Sequence, residues 1–240
     1  VSGENVSVSG LPASDLRGIP VEDDGLPVKQ AMVAKAENKG KYNGGRLKTD
    51  KRSQKTYAKY LSAYLSEYEK RGVHIHFLHP QNEVTADQSF PSCLYTGEEF
   101  KNFVAGYLCA EISRNNPGTQ IWLGTINSQS FEDYAFRFFE DKKLSRKIGG
   151  IGYQWIGKES VCKTRASFPR VPIVQTESEC GDGENTFAFA EYIFSLMQHY
   201  LTNGAEAYVY WNMILGSDPH STWDWAQNSL ITVDENSRTW

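Results

Sequence analysis

Along most of the chain, apolar positions alternate between helical and strand spacing. Apolar residues recur at i, i+3, i+4 and i+7 over residues 50–70, and Gly72 follows as a helix stop. A capping box of Thr96 and Glu99 starts a second amphipathic helix. Further helices are predicted over 131–144 and 186–201, and short apolar runs predict strands over 73–79, 120–126, 148–156, 171–177 and 205–212. This alternation is typical of a parallel α/β sheet.

The two ends of the chain lack this pattern. Residues 1–48 hold Gly, Ser, Pro and Asp with only short apolar runs, so an irregular N-terminal segment is predicted, with one short helix from Pro27 to about Glu37. Near the other end, residues 223–227 are predicted as a short turn or helix and residues 230–233 as an isolated strand. The regular α/β part therefore lies between residues 49 and 228.

Two of the predicted strands end abruptly in a carboxylate. The run from Gly72 is rich in apolar residues and closes with Asn82-Glu83, and the run from Arg170 closes with Glu177. A buried parallel strand whose carboxyl end opens into a site has this form. Glycosidases use such a pair, in which one carboxylic acid protonates the leaving oxygen and the other carboxylate attacks, or directs attack, at the sugar carbon.

Polar and aromatic residues also mark the ends of the other predicted strands. The residues at or just after these ends are Glu83, Asn127, Trp155, Glu177, Trp211 and Asn212. An α/β barrel gathers such ends at one face. No glycine-rich phosphate turn follows any strand, which disfavours a nucleotide-binding doubly wound sheet. The pattern therefore favours a TIM-type barrel.

Length and charge narrow the class of protein. The 240 residues suffice for one large core, so a single domain is expected. The net charge of −4 argues against nucleic acid as a partner, and no apolar run reaches the roughly 18 residues of a membrane span. Aromatic residues make up 13% of the chain, which fits either core packing or stacking on the apolar face of a sugar ring.

Metal and cofactor chemistry find little support in the sequence. The four cysteines match no zinc spacing, and their even number permits disulfides without requiring them. His74 and His76 share a strand face, but neither they nor His79 have a third ligand at a fixed spacing, so structural histidines are favoured over a metal site. We therefore expect neither a metal nor a cofactor.

Five ordered motifs relate the chain to a known family. They are Asn43-Gly-Gly-Arg-Leu-Lys48, Gly152-Tyr-Gln-Trp-Ile-Gly157, Thr176-Glu-Ser-Glu-Cys180, Tyr210-Trp-Asn-Met213 and Asn228-Ser-Leu-Ile-Thr-Val-Asp234. With Gln81-Asn-Glu83 they give a sequence that resembles glycoside hydrolase family 30 over roughly residues 40–240. That family includes glucosylceramidases and endo-β-1,6-glucanases. The resemblance implies a (β/α)8 barrel and a retaining β-glycosidase that works by double displacement.

The resemblance also implies roles for individual residues. Glu83, which follows an asparagine at the end of strand 4, would be the acid/base and would need a raised pKa. Glu177, at the end of strand 7, would be the nucleophile, with Glu179 a supporting acid. Asn82 would bind the sugar 2-hydroxyl. The remaining substrate contacts would come from Gln154, Trp155, Trp211 and Asn212, although core packing is the alternative for the two tryptophans.

The resemblance covers only part of the family's barrel. Strands 4–8 are recognisable and strands 1–3 are not, so residues 49–228 are expected to form an incomplete barrel and residues 229–240 the start of a flanking β-sandwich. The expected substrate is a β-1,6-glucan or a glucosylceramide-type lipid, and the expected location is secreted or extracytoplasmic. The alternative is a truncated, non-catalytic barrel that at most binds sugar. The sequence does not specify an oligomeric state.

Overall fold

A computed structural model of the protein describes residues 44–88, 91–221, 224–234 and 236–237. The predicted irregular segment lies almost wholly outside these ranges, as does the short helix from Pro27. Of that segment, the structure describes residues 44–48 alone.

Five parallel strands form the centre of the protein. They are β1 (Phe77–Leu78), β2 (Gln120–Ile126), β3 (Ile148–Gln154), β4 (Ile173–Glu177) and β5 (Ala207–Tyr208). Their order in the sheet is their order in the chain, and each neighbouring pair is parallel. This confirms the predicted series of strands and the incomplete α/β barrel, since the wall of a barrel is built from consecutive parallel strands.

One helix precedes β1, and the other helices occupy the connections between the strands. They are α1 (Lys51–Lys70), α2 (Gly97–Phe103), a π-helical stretch (Val104–Leu108), α3 (Cys109–Asn115), a second π-helical stretch (Glu132–Phe136), α4 (Arg137–Phe139), α5 (Lys142–Ser145), a 3₁₀ stretch (Trp155–Ser160), α6 (Val161–Ser167) and α7 (Phe187–Thr202). The predicted capping box is present, because the Glu99 amide donates to Thr96 Oγ1 at 3.2 Å and the Thr96 amide donates to Glu99 Oε2 at 2.7 Å.

The helix predicted as continuous over residues 131–144 is instead divided. Asp141 has an extended backbone, and its carboxylate accepts hydrogen bonds from the amides of Lys143 and Leu144. An aspartate in this position caps a new helix rather than continuing the old one. The prediction was therefore right about helical content and wrong about continuity.

The prediction of a fully buried strand over residues 73–79 is wrong. Only Phe77–Leu78 is assigned as strand, and the side chains of Val73 and Phe77 are 50% and 51% exposed. The reason is its place in the sheet: within the described ranges β1 pairs with β2 alone. The strand predicted over residues 205–212 is likewise reduced to Ala207–Tyr208, which pairs with β4 alone.

The core lies between the sheet and its helices. Its largest fully buried apolar side chains include Phe100, Phe103, Leu108, Phe138, Ile151 and Ile173. Each such side chain stabilises the fold by about 1.5–3 kcal/mol relative to exposure. Tyr153 is also buried, and its hydroxyl lies 2.6 Å from Thr164 Oγ1.

A second, small sheet follows the main one. Strands β6 (Ile214–Gly216) and β7 (Ile231–Val233) pair in parallel, so the strand predicted as isolated has a partner. Residues 224–227 form no helix. The assignment of residues 229–240 to a flanking β-sandwich stays a prediction. No described helix combines the length and apolar character that crossing a bilayer requires.

Candidate active site

The two predicted carboxylates converge on one side-chain amide. Gln154, the last residue of β3, lies opposite Glu177 in the parallel register of β3 and β4. Its Nε2 lies 3.1 Å from Glu83 Oε1 and 3.3 Å from Glu177 Oε2. Because the carboxyl ends of parallel strands share one edge, residues 94 positions apart in sequence meet there.

Glu83 is held rigidly after β1. Its backbone amide donates to the carbonyl of Thr125 at 3.1 Å, and its side chain is 7% exposed. A second amide, Gln88 Nε2, donates to Glu83 Oε2 at 3.2 Å. The φ angle of 51° places Glu83 in the left-handed region, which costs a non-glycine residue of the order of 1–3 kcal/mol and persists where the surroundings enforce it.

Glu177 ends β4 beneath a tryptophan. The indole Nε1 of Trp155 donates to Glu177 Oε1 at 2.9 Å. Burial raises the pKa of Glu177 to about 7, the indole and Gln154 hydrogen bonds act against that rise, and the charge of Glu83 adds to it. A carboxyl group with this pKa exchanges its proton near neutral pH.

Asn82 belongs to the same network. Its Oδ1 accepts hydrogen bonds from Thr125 Oγ1 at 2.7 Å and from Gln154 Nε2 at 3.1 Å. Its amide nitrogen makes no hydrogen bond to any described residue. The side chain is therefore oriented through its oxygen, which leaves two N–H donors for a bound molecule.

Three half-buried indoles, here called the tryptophan cluster, lie beside Glu177. Trp155, Trp211 and Trp225 have ring centroids 6.5 Å (Trp155–Trp211), 6.1 Å (Trp155–Trp225) and 5.6 Å (Trp211–Trp225) apart. Pairs at such distances gain about 0.5–1.5 kcal/mol beyond area burial. Part of each ring stays accessible, so the cluster can pack and still present an aromatic wall.

Hydrogen bonds join the segment after β5 to Ser178, the residue that follows Glu177. Ser178 Oγ donates to the carbonyl of Trp211 at 3.1 Å and accepts from its amide at 2.9 Å. Asn212 Nδ2 donates to Gln227 Oε1 at 2.8 Å. Among the described residues no hydrogen bond joins the side chain of Asn212 to Glu83 or Glu177, so it lies outside the carboxylate network.

Glu179 is turned away from this network. Its carboxylate pairs with Lys158 Nζ at 2.5 Å and accepts from Tyr192 Oη at 2.6 Å. Because β4 ends at Glu177, strand alternation does not extend to residue 179. Glu179, which follows β4, therefore contacts different side chains from Glu177, which ends it.

The histidines form no shared site. His74 pairs with Glu69 at 2.7 Å, and its ring contacts that of His76. His79 lies half-buried beside Trp122, and the partial burial of its ring lowers its pKa to about 4. Among the described residues, no three His, Cys, Asp or Glu side chains are grouped so as to hold a metal ion. No disulfide joins the four cysteines, all of which lie in the described ranges.

Several site residues were not anticipated from the sequence. Thr125, Thr176 and Gln88 support the carboxylates and Gln154, and Trp225 completes the tryptophan cluster. Thr176 was recognisable only as a neighbour of Glu177. Trp225 lies in the segment predicted as a short turn or helix, and nothing in that prediction placed it at the site.

Solved structures share this fold. SrfJ from Salmonella typhimurium aligns with a TM-score of 0.77 and 21% identity, over 87% of this chain and 48% of that one. An endo-β1,6-glucanase aligns at 0.72 and 20% identity, over 83% and 46%. The family 30 xylanase Xyn30A from Clostridium acetobutylicum aligns at 0.61 and 19%, over 86% and 47%. The chain spans about half the length of these structures.

Sequence comparison assigns the family. No protein with a curated description matches the chain. Residues 29–232, however, match the model of the glycosyl hydrolase family 30 TIM-barrel domain. This match includes β1 to β5, both carboxylates and the tryptophan cluster. The chain therefore belongs to glycosyl hydrolase family 30.

Proposed function

We propose that this chain carries the catalytic pair of a retaining β-glycosidase, with Glu83 as acid/base and Glu177 as nucleophile. The observation that carries the proposal is the convergence of both carboxylates on Gln154 Nε2. Two carboxyl groups at one strand edge, with half-buried indoles beside them, are suited to a sugar whose anomeric carbon lies between the acids.

The spacing of the carboxylates supports retention. Glu83 Oε1 and Glu177 Oε2 both accept from Gln154 Nε2, at 3.1 Å and 3.3 Å, so the two carboxylates lie close together. Inversion needs room for a water between base and sugar, whereas retention needs direct contact between nucleophile and anomeric carbon. The close approach favours direct attack by a carboxylate.

The steps follow from this geometry. Glu177 forms a bond to the anomeric carbon while the glycosidic bond breaks and Glu83 gives its proton to the leaving oxygen. Glu83, now anionic, takes a proton from water as that water attacks the anomeric carbon and releases Glu177. Asn82 presents its N–H donors to the sugar, and Trp155 and Trp211 form the walls of the subsite.

For the substrate, we propose a β-glucoside, either a β-1,6-glucan or a glucosylceramide-type lipid. One structure with the same fold is an endo-β1,6-glucanase, which favours the glucan. A polysaccharide substrate also agrees with a secreted or extracytoplasmic location. We propose Gln154 and Asn212 as supports of the subsite, because both side chains already have hydrogen-bond partners in the protein.

The test is turnover by the 240-residue chain. An aryl β-glucoside and a β-1,6-glucan are offered to the native chain and to its Glu177→Gln variant, and the anomer of the first product is read by NMR. Release of the β-anomer by the native chain alone supports the proposal, and release of the α-anomer contradicts it.

A second function, sugar binding without catalysis, is favoured by one observation. The chain spans 48% of the length of SrfJ and supplies five barrel strands in the described ranges. In that case β-1,6-glucan quenches the fluorescence of the tryptophan cluster while neither substrate is hydrolysed. Such binding should survive Glu177→Gln and weaken in Trp211→Ala.

A further inference from the structure

Gln154 occupies an unusual position between the two acids. Its side-chain nitrogen has two N–H donors and three acceptors in reach: Asn82 Oδ1, Glu83 Oε1 and Glu177 Oε2. The residue is 1% exposed, so no solvent competes for these donors. One amide thus serves more acceptors than it can satisfy at once.

The orientation of this amide is fixed from both ends. Thr176 Oγ1 donates to Gln154 Oε1 at 2.9 Å. If the amide were turned over, its oxygen would face the oxygens of an ionised carboxylate, with no hydrogen between them. Acceptors facing one another in a buried site are strongly disfavoured. The Thr176 hydroxyl and an ionised carboxylate therefore both favour the orientation in which the nitrogen points at the acids.

We propose that Gln154 is a positioning residue whose N–H donors follow the negative charge from one carboxylate to the other during double displacement. This inference rests on the proposed function for its catalytic meaning. Before reaction the charge is on Glu177; when the bond from Glu177 to the anomeric carbon forms and Glu83 loses its proton to the leaving oxygen, the charge is on Glu83. Hydrolysis of the ester and return of a proton from water to Glu83 restore the first state.

A neutral amide suits this task better than a charged group. A lysine or arginine between the acids would hold both in the ionised form, and the acid/base step needs one of them protonated. An amide donor stabilises whichever carboxylate is ionised without fixing which one it is. While one carboxyl group is neutral, the N–H of Gln154 that it does not need is donated to Asn82 Oδ1, the third acceptor.

The test measures titration of the unliganded chain, so it does not depend on turnover. Glutamate side chains are labelled at Cδ, and the ¹³C shifts of Glu83 and Glu177 are followed from pH 3 to pH 10 in the native chain and in Gln154→Met. Losing a donor to an ionised carboxylate raises its pKa, so the midpoint of Glu177 is expected to move upward by roughly one pH unit from about 7. The Cδ shift of Glu83 at a fixed pH should change as well, because the same donor is lost there. An unmoved Glu177 midpoint, or an unchanged Glu83 signal, overturns the proposal.

Gln88 provides the matched control. Its amide contacts Glu83 Oε2 and has no hydrogen bond to Glu177. Gln88→Met should therefore change the Cδ shift of Glu83 and leave the Glu177 midpoint where it is in the native chain. If Gln88→Met moves the Glu177 midpoint as far as Gln154→Met does, Gln154 is no shared donor and the proposal fails.

A second variant keeps the test decisive if Gln154→Met does not fold. Thr176→Val removes the hydroxyl that orients the amide and keeps its shape. The Glu177 midpoint should then shift upward by less than in Gln154→Met, and the absence of any shift contradicts the proposal. A chain that shows these changes but hydrolyses no glucoside would refute the proposed function and leave Gln154 as a donor shared by the two carboxylates, without a part in double displacement.

Discussion

The indole nitrogen of Trp155 lies 2.9 Å from Glu177 Oε1, on the neighbouring strand. Strand β3 ends one residue earlier, and Trp155 has a φ of 49°, in the left-handed region that tryptophan rarely adopts. The backbone thereby turns the ring across the end of β4 and onto the carboxylate. Strain of this kind persists where the surroundings enforce it and is typical of functional sites.

Replacing that indole by a phenyl ring should raise the pKa of Glu177 above about 7. Trp155→Phe keeps an aromatic side chain but removes the N–H donor that favours the ionised carboxylate. The acidic limb of kcat/KM should move to higher pH, because the nucleophile is protonated at a higher pH than in the native chain. Trp225→Phe is the control, since no hydrogen bond joins Trp225 to Glu177 in the described ranges; an equal shift in both variants would contradict the assignment.

The two carboxylates should differ in the kind of activity they support. Glu177→Gln should stall on every substrate, because no nucleophile remains. Glu83→Gln should still be glycosylated by an aryl glucoside with a good leaving group, since such a group departs without acid help, and then deglycosylate slowly. Azide should restore turnover in Glu83→Gln and yield a β-glycosyl azide, detected by mass spectrometry and NMR. Equal losses on activated and natural substrates in both variants would contradict the roles.

Glu177 should lower the stability of the chain at high pH. Its pKa is about 7 in the folded state against 4.5 in the unfolded state, so the folded state binds the extra proton between these values. The cost of its buried charge is absent below about pH 4.5 and fully present well above pH 7, where it is of the order of 3 kcal/mol. Glu177→Gln should therefore be more stable than the native chain in urea at pH 9 and nearly equal at pH 4.

Glu179→Gln is the control for that measurement. Its carboxylate pairs with Lys158 and Tyr192, so the variant loses favourable contacts. It should be less stable than the native chain at pH 9. Stabilisation by Glu179→Gln of the same size as by Glu177→Gln would mean that general charge reduction, and not burial at Glu177, is responsible.

His79 should make the fold sensitive to acid. Burial lowers the pKa of His79 to about 4 from 6.5. The contribution of the neutral ring to the free energy of unfolding is therefore fully present above about pH 6.5 and is lost as the pH falls toward 4. His79→Gln should flatten this part of the curve of unfolding free energy against pH. The exposed His74, which pairs with Glu69, is the control, and an equally flat curve in His74→Gln would contradict the prediction.

The sequence predicted the order of the five strands because each contains a short apolar run, and it placed Glu177 at a strand end because that run closes in a polar group. The contacts between strand ends could not be predicted from the sequence in the same way. That Gln154 faces Glu177 depends on the register of β3 against β4, and register is a property of the pair rather than of either segment. The exposure of Phe77 likewise depends on how many neighbours β1 has, which no local pattern encodes.

Because β1 has one partner strand within the described ranges, the two acids follow strands of unequal local stability. Glu83 follows an outer strand joined to β2 by two residue pairs, whereas Glu177 ends a strand with partners on both sides. Local opening costs least where the fewest backbone hydrogen bonds and buried contacts are lost. The arm that carries Glu83 should thus open more often than the one that carries Glu177. Amide exchange will be faster at Leu78 than at Val174, so Glu83 separates from Glu177 before the rest of the sheet opens.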